Sequence, residues 1–212
     1  MGDGPPAEST PPEAAPPPPL VIVLSGPSGA GKDSVIARMI ERGLPIVFPP
    51  TMTDRAPREG ERDGVDYHFV STAQFERHIA AGDLLEHALV YGDHKGVPRD
   101  GVRAALETGR HVVLRVDVQG AATLRERIPG ALLVFLTAGD EQALEARIRG
   151  RGDSDEADIA RRIEEMRAEF AQAERFDHRV ENAQGDLDGT VDALWAIIER
   201  AAARPGRVPL EV

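Results

Sequence analysis

Long apolar runs alternate with segments of helical spacing along most of the chain. Residues 20–24, 111–117 and 131–136 are apolar with little polar alternation, which is typical of strands buried on both faces of a parallel sheet. A shorter strand is predicted near residues 178–181. Apolar residues three and four apart predict helices over 34–42, 98–108, 121–127, 140–149, 155–175 and 188–203. Strands and helices that alternate with right-handed crossovers predict an α/β fold of three layers, in which helices cover both faces of a parallel core sheet.

Residues 46–96 interrupt this alternation. Within them, residues 66–70 alternate between polar and apolar side chains, as expected of a half-exposed antiparallel strand. We therefore predict an inserted arm over 46–96 that carries its own small sheet. The core of the domain then comprises residues 20–45 and 97–205.

The two ends of the chain differ from this domain in composition. Residues 1–19 consist mainly of Pro, Ala, Gly and acidic residues and end in four prolines. Such a stretch buries too little apolar area to offset the entropy lost on ordering, so we predict a disordered Pro-rich tail. A docking role for the prolines is the alternative to a tail without a selected function. Residues 206–212 form a predicted C-terminal tail.

Charge and composition limit the kinds of partner. The formal net charge of -11 gives a surface that repels nucleic acid and anionic membranes, so we expect neither as a partner. No apolar stretch approaches the ~20 residues of a membrane span, and no secretory signal pattern is visible. The chain has no cysteine, which excludes disulfides and is compatible with the cytoplasmic location that we expect. The sequence leaves the oligomeric state open.

The segment between the first predicted strand and helix carries the strongest chemical signal. Residues 26–32 read GPSGAGK and fit G-x-x-x-x-G-K in the strand–loop–helix context that this motif requires. Its glycines let backbone N–H groups turn around a phosphate, the helix adds a partial positive charge, and Lys32 adds a full charge. We therefore predict a P-loop NTPase fold and an ATP site formed by Gly26, Ser28, Gly29, Ala30, Gly31, Lys32, Asp33 and Ser34.

Asp33 departs from the usual P-loop pattern, which has Ser or Thr after the lysine. A carboxylate is a good oxygen ligand for Mg²⁺, so Asp33 is a candidate metal ligand, either directly or through water. It also places a negative charge beside the phosphates, which weakens nucleotide binding when no metal is present. The alternative is that Asp33 only caps the start of the helix, where Asp is favourable. The residues alone do not separate these two roles.

Six further motifs follow in order along the chain. They are TDRAPR at 53–58, GVDYHFVS at 64–71, LEHA at 85–88, DVQGA at 117–121, RGRG at 149–152 and VEN at 180–182. Together with the P-loop, these motifs resemble those of guanylate kinases, and the resemblance extends over about residues 21–200. Several motifs in the right order are more specific than any one of them. The resemblance implies the reaction ATP + GMP ⇌ ADP + GDP, with Mg²⁺ as the cofactor.

The resemblance also implies roles for individual residues. Arg55, Arg58, Tyr67 and Lys95 correspond to donors that bind the acceptor phosphate, for which Arg offers two parallel N–H groups. Thr51, Glu86 and Asp117 correspond to residues that bind guanine. Lys32, Arg151 and Arg162 correspond to catalytic cations, and a lid over about residues 150–156 carries Arg151. Arg147 and Asn182 fall where the family contacts adenine.

Three positions differ from the family pattern. Lys95 replaces a tyrosine, Val97 replaces a Thr or Ser that contacts the base, and Arg115 replaces an acidic residue. Arg115 lies two residues before Asp117 on the predicted strand, so it is expected to pair with Asp117 or Glu86, or to reach the acceptor phosphate.

Two other functions therefore remain open. One is a kinase with another acceptor, such as a ribose phosphate, because the Lys-Asp-Ser end of the P-loop is similar to that of ribose 1,5-bisphosphate kinases. The other is a non-catalytic guanylate-kinase-like binding module, against which the intact Lys32 and P-loop glycines argue.

Overall fold

The computed structural model describes residues 17–90, 92–139, 141–149 and 156–212. Its strands are, in chain order, β1 (Val21–Ser25), β2 (Ile46–Val47), β3 (Thr51–Thr53), β4 (Tyr67–Phe69), β5 (Leu84–Val90), β6 (Asp93–Pro98), β7 (His111–Arg115), β8 (Leu132–Thr137) and β9 (His178–Glu181). Its helices are α1 (Lys32–Glu41), α2 (Thr72–Ala81), α3 (Arg99–Glu107), α4 (Val118–Arg127), α5 (Glu141–Arg149), α6 (Glu156–Phe170) and α7 (Leu187–Ala202), with a 3₁₀ turn at Ala173–Arg175.

Five strands form the core sheet in the order β2-β7-β1-β8-β9. All four neighbouring pairs are parallel, as the continuous apolar runs predicted. The side chains of the central strand alternate between two cores. Ile22 and Leu24 join one buried cluster, whereas Val21 and Val23 join the other. A strand that is buried on both faces needs apolar residues at every position, which explains why β1 shows no alternation.

Helices cover both faces of this sheet. Val35 and Met39 of α1 and Leu194 of α7 pack in the cluster that contains Ile22 and Leu24. On the other face, Val102 of α3 and Leu124 of α4 pack in the second cluster. These two helical layers confirm the predicted α/β fold with a parallel core sheet.

The inserted segment forms a second sheet in the order β4-β3-β6-β5. One prediction about it was wrong: β4 pairs with β3 in parallel, with Thr51 opposite Tyr67 and Thr53 opposite Phe69. Residues 54–66 connect the two strands, and a connection of about a dozen residues can return the chain to the edge where β3 starts. At the beginning of the segment, β2 pairs with β7 and belongs to the core sheet, so the small sheet starts at Thr51.

The end of β7 positions an acidic residue at the edge of the core sheet. The strand predicted over 111–117 ends at Arg115, because Asp117 is the N-cap of the next helix. The Asp117 carboxylate accepts a hydrogen bond from the backbone N–H of Gly120 at 2.7 Å and caps α4. Helix α4 therefore starts at Val118 rather than at residue 121.

The two predicted tails differ in what the structure describes. Residues 1–16 lie outside the described ranges. Residues 206–212 are described: Leu210 and Val212 pack against the second core cluster, and Arg207 donates a hydrogen bond to the carbonyl of Pro19 at 3.0 Å. Among the described residues, no helix combines the length and the apolar character that crossing a membrane requires.

The contact between the loop after β1 and strand β8 yields a prediction. Gly26 has φ 140°, and a Cβ there would collide with the backbone carbonyl of Leu136. Gly43 has φ 68°, but a Cβ there would meet nothing within 4 Å, so it controls for backbone strain. We expect Gly43→Ala to lower the unfolding free energy by about 1 kcal/mol and Gly26→Ala to lower it by about 3 kcal/mol. Urea unfolding measures both changes, and equal losses would contradict the collision.

Candidate active site

A cleft of about 580 Å³ lies between the carboxyl edge of the core sheet and the small sheet. Ligands of open α/β sheets bind at this edge, where loops leave the strands. One wall is the loop after β1 together with the start of α1, and it contains Gly26, Ser28, Gly29, Gly31, Lys32, Asp33 and Ser34. The facing wall contains Thr51, Arg58, Tyr67, Glu86 and Lys95. Most of the predicted donor and acceptor residues therefore share one cavity.

The loop after β1 has the shape of a phosphate cradle. Gly26, Gly29 and Gly31 all have positive φ, at 140°, 86° and 87°, which glycine adopts without the strain that a side chain causes. Gly31 is the N-cap of α1 and provides no side-chain cap, so the first N–H groups of the helix are available to an anion. Asp33 lies in the first turn of α1 and does not cap it, which removes the capping role as an explanation for this residue.

Asn182 stabilises the phosphate cradle by a hydrogen bond to its backbone. Its side-chain amide donates a hydrogen bond to the carbonyl of Ala30 at 2.9 Å, and its oxygen accepts one from the Thr190 hydroxyl at 3.1 Å. A Cβ on Gly31 would collide with the same amide group. Both polar ends of Asn182 are thus engaged by the protein. The predicted contact of Asn182 with adenine stays a prediction.

Lys32 is held inside the loop that precedes it. Its ammonium donates to the carbonyls of Gly26 and Pro27, the latter at 3.2 Å. Burial lowers the pKa of Lys32 to about 8, although the nearby carboxylate of Glu169 opposes the shift. A bound phosphate would place a stronger negative charge than that of Glu169 beside Lys32, and would therefore favour the charged form of this lysine.

Glu169 is a site residue that the motifs did not reveal. It lies near the end of α6, lines the cleft and accepts a hydrogen bond from the backbone N–H of Ser28. Burial raises its pKa to about 7, and the charge of Lys32 opposes that rise. Met166 and Phe170 of the same helix are buried and half-buried. A carboxylate next to these apolar positions is the signal that could have identified Glu169.

Glu86 is the most deeply buried acid of the cleft, with a relative exposure of 5%. Burial and, to a smaller extent, the like charge of Asp117 together raise its pKa to about 8. Gly120 makes this position possible, because a Cβ there would lie only 2.8 Å from the carboxyl carbon of Glu86. Glu86 and Asp117 both line the cleft, and their contacts with guanine, which the resemblance implied, stay a prediction.

Arg55 and Arg58 occupy different environments. Arg58 lines the cleft opposite the phosphate cradle. Arg55 instead forms a bidentate ion pair with Glu61, with N–O distances of 2.7 and 2.6 Å. Its guanidinium also lies over the ring of Tyr67 at 4.9 Å. Hydrogen bonds from Arg55 lower the pKa of Glu61 to about 2, and the motifs gave no sign of this pairing.

Three further side chains complete the facing wall. Thr51 is buried and lines the cleft. Burial lowers the pKa of Lys95, and the positive charges of Arg55 and Arg58 lower it further, so Lys95 lies within the electrostatic reach of both. Val97 is buried beside them and offers no hydrogen-bonding group.

Arg115 does not pair as its position in the sequence suggested. The expected partners were Asp117, Glu86 or a phosphate. The guanidinium instead forms an ion pair with Asp33, and it donates to the Tyr67 hydroxyl at 2.6 Å. The prediction of an Asp117 or Glu86 partner was therefore wrong, because α1 brings Asp33 to the end of β7.

Three predicted arginines are not among the described residues that line the cleft. Arg162 lies on α6 and is half-buried. Arg147 belongs to α5, but its side chain is outside what the structure describes. Arg151 and most of the predicted lid fall in residues 150–155, which lie outside the described ranges. The roles of these three arginines stay predictions.

Comparisons with known proteins agree with this geometry. A family model described as guanylate kinase matches residues 19–201. The chain is 43% identical over 185 residues to "Guanylate kinase 2, chloroplastic/mitochondrial" of Oryza sativa subsp. japonica, covering 87% of this chain and 65% of that protein. It is 41% identical over 189 residues to a guanylate kinase of Leifsonia xyli, covering 89% of this chain and 72% of the relative.

A solved structure of a guanylate kinase also resembles this chain. The crystal structure of guanylate kinase from Anaplasma phagocytophilum superposes with a TM-score of 0.71 at 26% identity, covering 89% of this chain and 88% of that one. The family match and the relatives span the core sheet, the small sheet and the cleft between them. The chain therefore belongs to the guanylate kinase family, as its ordered motifs predicted.

Proposed function

We propose that this guanylate kinase transfers the γ-phosphoryl group of ATP to GMP and releases ADP and GDP. The observation that carries the proposal is the shared cleft. Its phosphate cradle and the cationic residues Arg58 and Lys95 line one cavity. A kinase needs two anionic phosphates side by side with their reacting atoms in line. This arrangement supplies a separate group of donors for each of them.

The donor phosphates bind at the cradle. Residues of the loop and of the first turn of α1 line the cleft, the helix start has no side-chain cap, and Lys32 adds a positive charge. The Asp33 carboxylate is 75% exposed beside Ser34 at the mouth of the cradle, so it fits as the one protein carboxylate that a Mg²⁺–nucleotide complex needs. When bound there with ATP, Mg²⁺ would neutralise charge on the phosphates. Lys32 would follow the phosphoryl group as negative charge develops on it.

The acceptor phosphate binds at the facing wall. Arg58 and Lys95 line it, and Tyr67 presents a hydroxyl between the two walls. Arg55 would join them by exchanging Glu61 for the phosphate, since both are anions that fit its fork of N–H groups. Glu61 thus keeps Arg55 oriented before GMP arrives.

The acceptor base binds at the carboxyl end of the cleft. Glu86 and Asp117 would accept hydrogen bonds from N1–H and the N2 amino group of guanine, and Thr51 would donate to O6. Adenine lacks these donors, so it would leave a buried carboxylate unpaired, which is costly. Val97 cannot share in this hydrogen bonding, so the two acids carry more of the discrimination.

Closure of the site completes the proposal. The small sheet and the lid near residues 150–156 would move toward the cradle and exclude water, which otherwise takes the phosphoryl group. Arg151 and Arg162 would then contribute positive charge to the transition state. A cytoplasmic location stays a prediction, since one relative carries an organellar name.

A panel of acceptors tests the proposed reaction. We expect ADP formation from ATP with GMP, and at least about a hundredfold lower kcat/KM with AMP, because a missing hydrogen-bond donor leaves Glu86 unpaired. A ribose phosphate, which offers no base, tests the rival kinase. Coupled measurement of ADP gives each rate. No turnover with GMP would exclude our choice, and turnover only with the ribose phosphate would establish the rival.

Replacement of Lys32 separates an enzyme from a binding module. We expect Lys32→Ala to lower kcat about a hundredfold or more and to weaken ATP binding, because the mobile charge on the γ-phosphoryl group is lost. Arg103→Ala is a matched control, since this arginine is exposed and pairs with Asp100 away from the cleft. Calorimetric ATP binding and ADP formation measure both effects. Equal ATP affinity of Lys32→Ala and wild type would argue against the enzyme.

The pKa of Glu86 predicts a pH dependence of GMP binding. A group with a pKa of about 8 is mostly protonated at pH 7, whereas guanine requires the ionised carboxylate as acceptor. Binding must therefore release a proton, and GMP affinity should rise from pH 6 to 8 by up to about tenfold per pH unit. In Glu86→Gln this component should vanish, while the titration of the GMP phosphate remains. Calorimetry at several pH values gives the ratio of the two affinities, and a ratio independent of pH would refute the assignment.

A further inference from the structure

Asp33 and Arg115 are both departures from the family motifs, and the structure brings them into contact. Asp33 lies in the first turn of α1, directly after Lys32. Arg115 is the last residue of β7. Their side chains form an ion pair although they are far apart in sequence. Each of the two unusual charges is therefore the partner of the other.

Without a compensating cation, Asp33 would oppose the binding of phosphates at the cradle. Its carboxylate is 75% exposed at the mouth of a site for phosphates. It stands where the partial positive charge of the α1 N-terminus would otherwise attract the nucleotide. A negative charge there repels phosphate and cancels part of the attraction of Lys32. A nearby cation is needed if the nucleotide is to bind well before any metal arrives.

Arg115 is held in position to be that cation. Its side chain is only 19% exposed. Its guanidinium donates to the Tyr67 hydroxyl at 2.6 Å and lies 5.5 Å from the ring centre of Phe48. These contacts come from both the core and the small sheet. Arg115 also lies near enough to Lys32 for its charge to lower the pKa of that lysine. A buried cation with fixed contacts loses little conformational freedom when it acts on a bound anion.

We propose that Arg115 is a positioning residue of the phosphate site, whose charge cancels that of Asp33 and so permits nucleotide binding without a metal ion. The inference rests on the proposed function, because it takes the cradle to be the nucleotide site. It predicts that the effect of Arg115 on nucleotide affinity depends on the presence of Asp33. An arginine that only stabilised the fold, or that contacted the nucleotide by itself, would not show this dependence.

A double-mutant cycle tests the proposal with ADP as the probe, in EDTA and at low salt. Arg115→Gln removes the charge but keeps polar contact, and Asp33→Asn removes the opposing charge at constant size. We expect Arg115→Gln to weaken ADP binding about tenfold or more, because Asp33 is then uncompensated. We expect Asp33→Asn to bind ADP about as well as wild type or more tightly. The double variant should return to within about threefold of wild type.

Two further measurements distinguish the expected change in ADP affinity from a loss of folding. Arg115→Lys preserves the charge and should bind ADP within about threefold of wild type. Melting temperature and circular dichroism identify any variant that has lost its fold. Added salt should reduce the loss of ADP affinity in Arg115→Gln, because salt screens the exposed charge of Asp33.

The outcomes separate this inference from the function on which it rests. Wild-type binding of ADP together with non-additive losses supports the role of Arg115. Additive losses, or an Arg115→Lys variant as weak as Arg115→Gln, overturn it and leave the kinase assignment intact. Failure of folded wild-type protein to bind ADP at all removes the proposed nucleotide site together with the inference.

Discussion

The site depends on a backbone conformation that only glycine permits. Gly26 turns at φ 140° against the carbonyl of Leu136, and Gly31 turns at φ 87° against the amide of Asn182. Both turns direct the chain so that its N–H groups and the start of α1 face the cleft. Hydrogen bonds to phosphate in this geometry require no side chain and no rearrangement. The strands and helices behind the loop hold it in this one shape.

Three cations at or near the cleft have carboxylate neighbours before a nucleotide binds. Arg55 is paired with Glu61, Lys32 lies near Glu169, and Arg115 is paired with Asp33. In a protein with a net charge of -11, these carboxylates offset part of the repulsion among the cations, which still lowers the pKa values of Lys32 and Lys95. Binding of an anionic substrate then becomes an exchange of one anion for another. The carboxylates orient the cations and reduce the free energy lost in ordering them.

Glu86 shows a different situation, because its main charged neighbour in the cleft is a second acid, Asp117, and the charge of Arg127 only partly opposes the rise of its pKa. Glu86 is buried next to Asp117. Because Gly120 has no side chain, helix α4 can approach strand β5 closely at Glu86. Such a group is unstable when ionised unless a ligand provides hydrogen-bond donors. Under the proposed function, the same burial that raises the pKa of Glu86 would make the site selective for a base that carries those donors.

Much of this could be read from the sequence because the relevant signals are local. Apolar runs and helical spacing depend on residues within one element, and they identified β1, β7, β8 and most helices to within a few residues. The cradle was also predictable, since its glycines, Lys32 and the following helix are contiguous. The two acids proposed to bind guanine came from the resemblance of short motifs. The parallel pairing of β4 was missed because alternation reports which face is exposed and carries no information about strand direction.

The partners of the charged residues were decided only by the tertiary structure. Arg115 was expected to pair with Asp117 or Glu86, or to reach the acceptor phosphate, yet it contacts Asp33 and Tyr67. Glu169 reaches Ser28 across most of the chain length. The physical reason is that an ion pair depends on which side chains the packed layers bring within a few ångströms of each other, and sequence separation says nothing about that distance. The sequence by itself determined the fold class, the cradle and the family; the packing of α1, α6 and the small sheet against the core decided which charge opposes which.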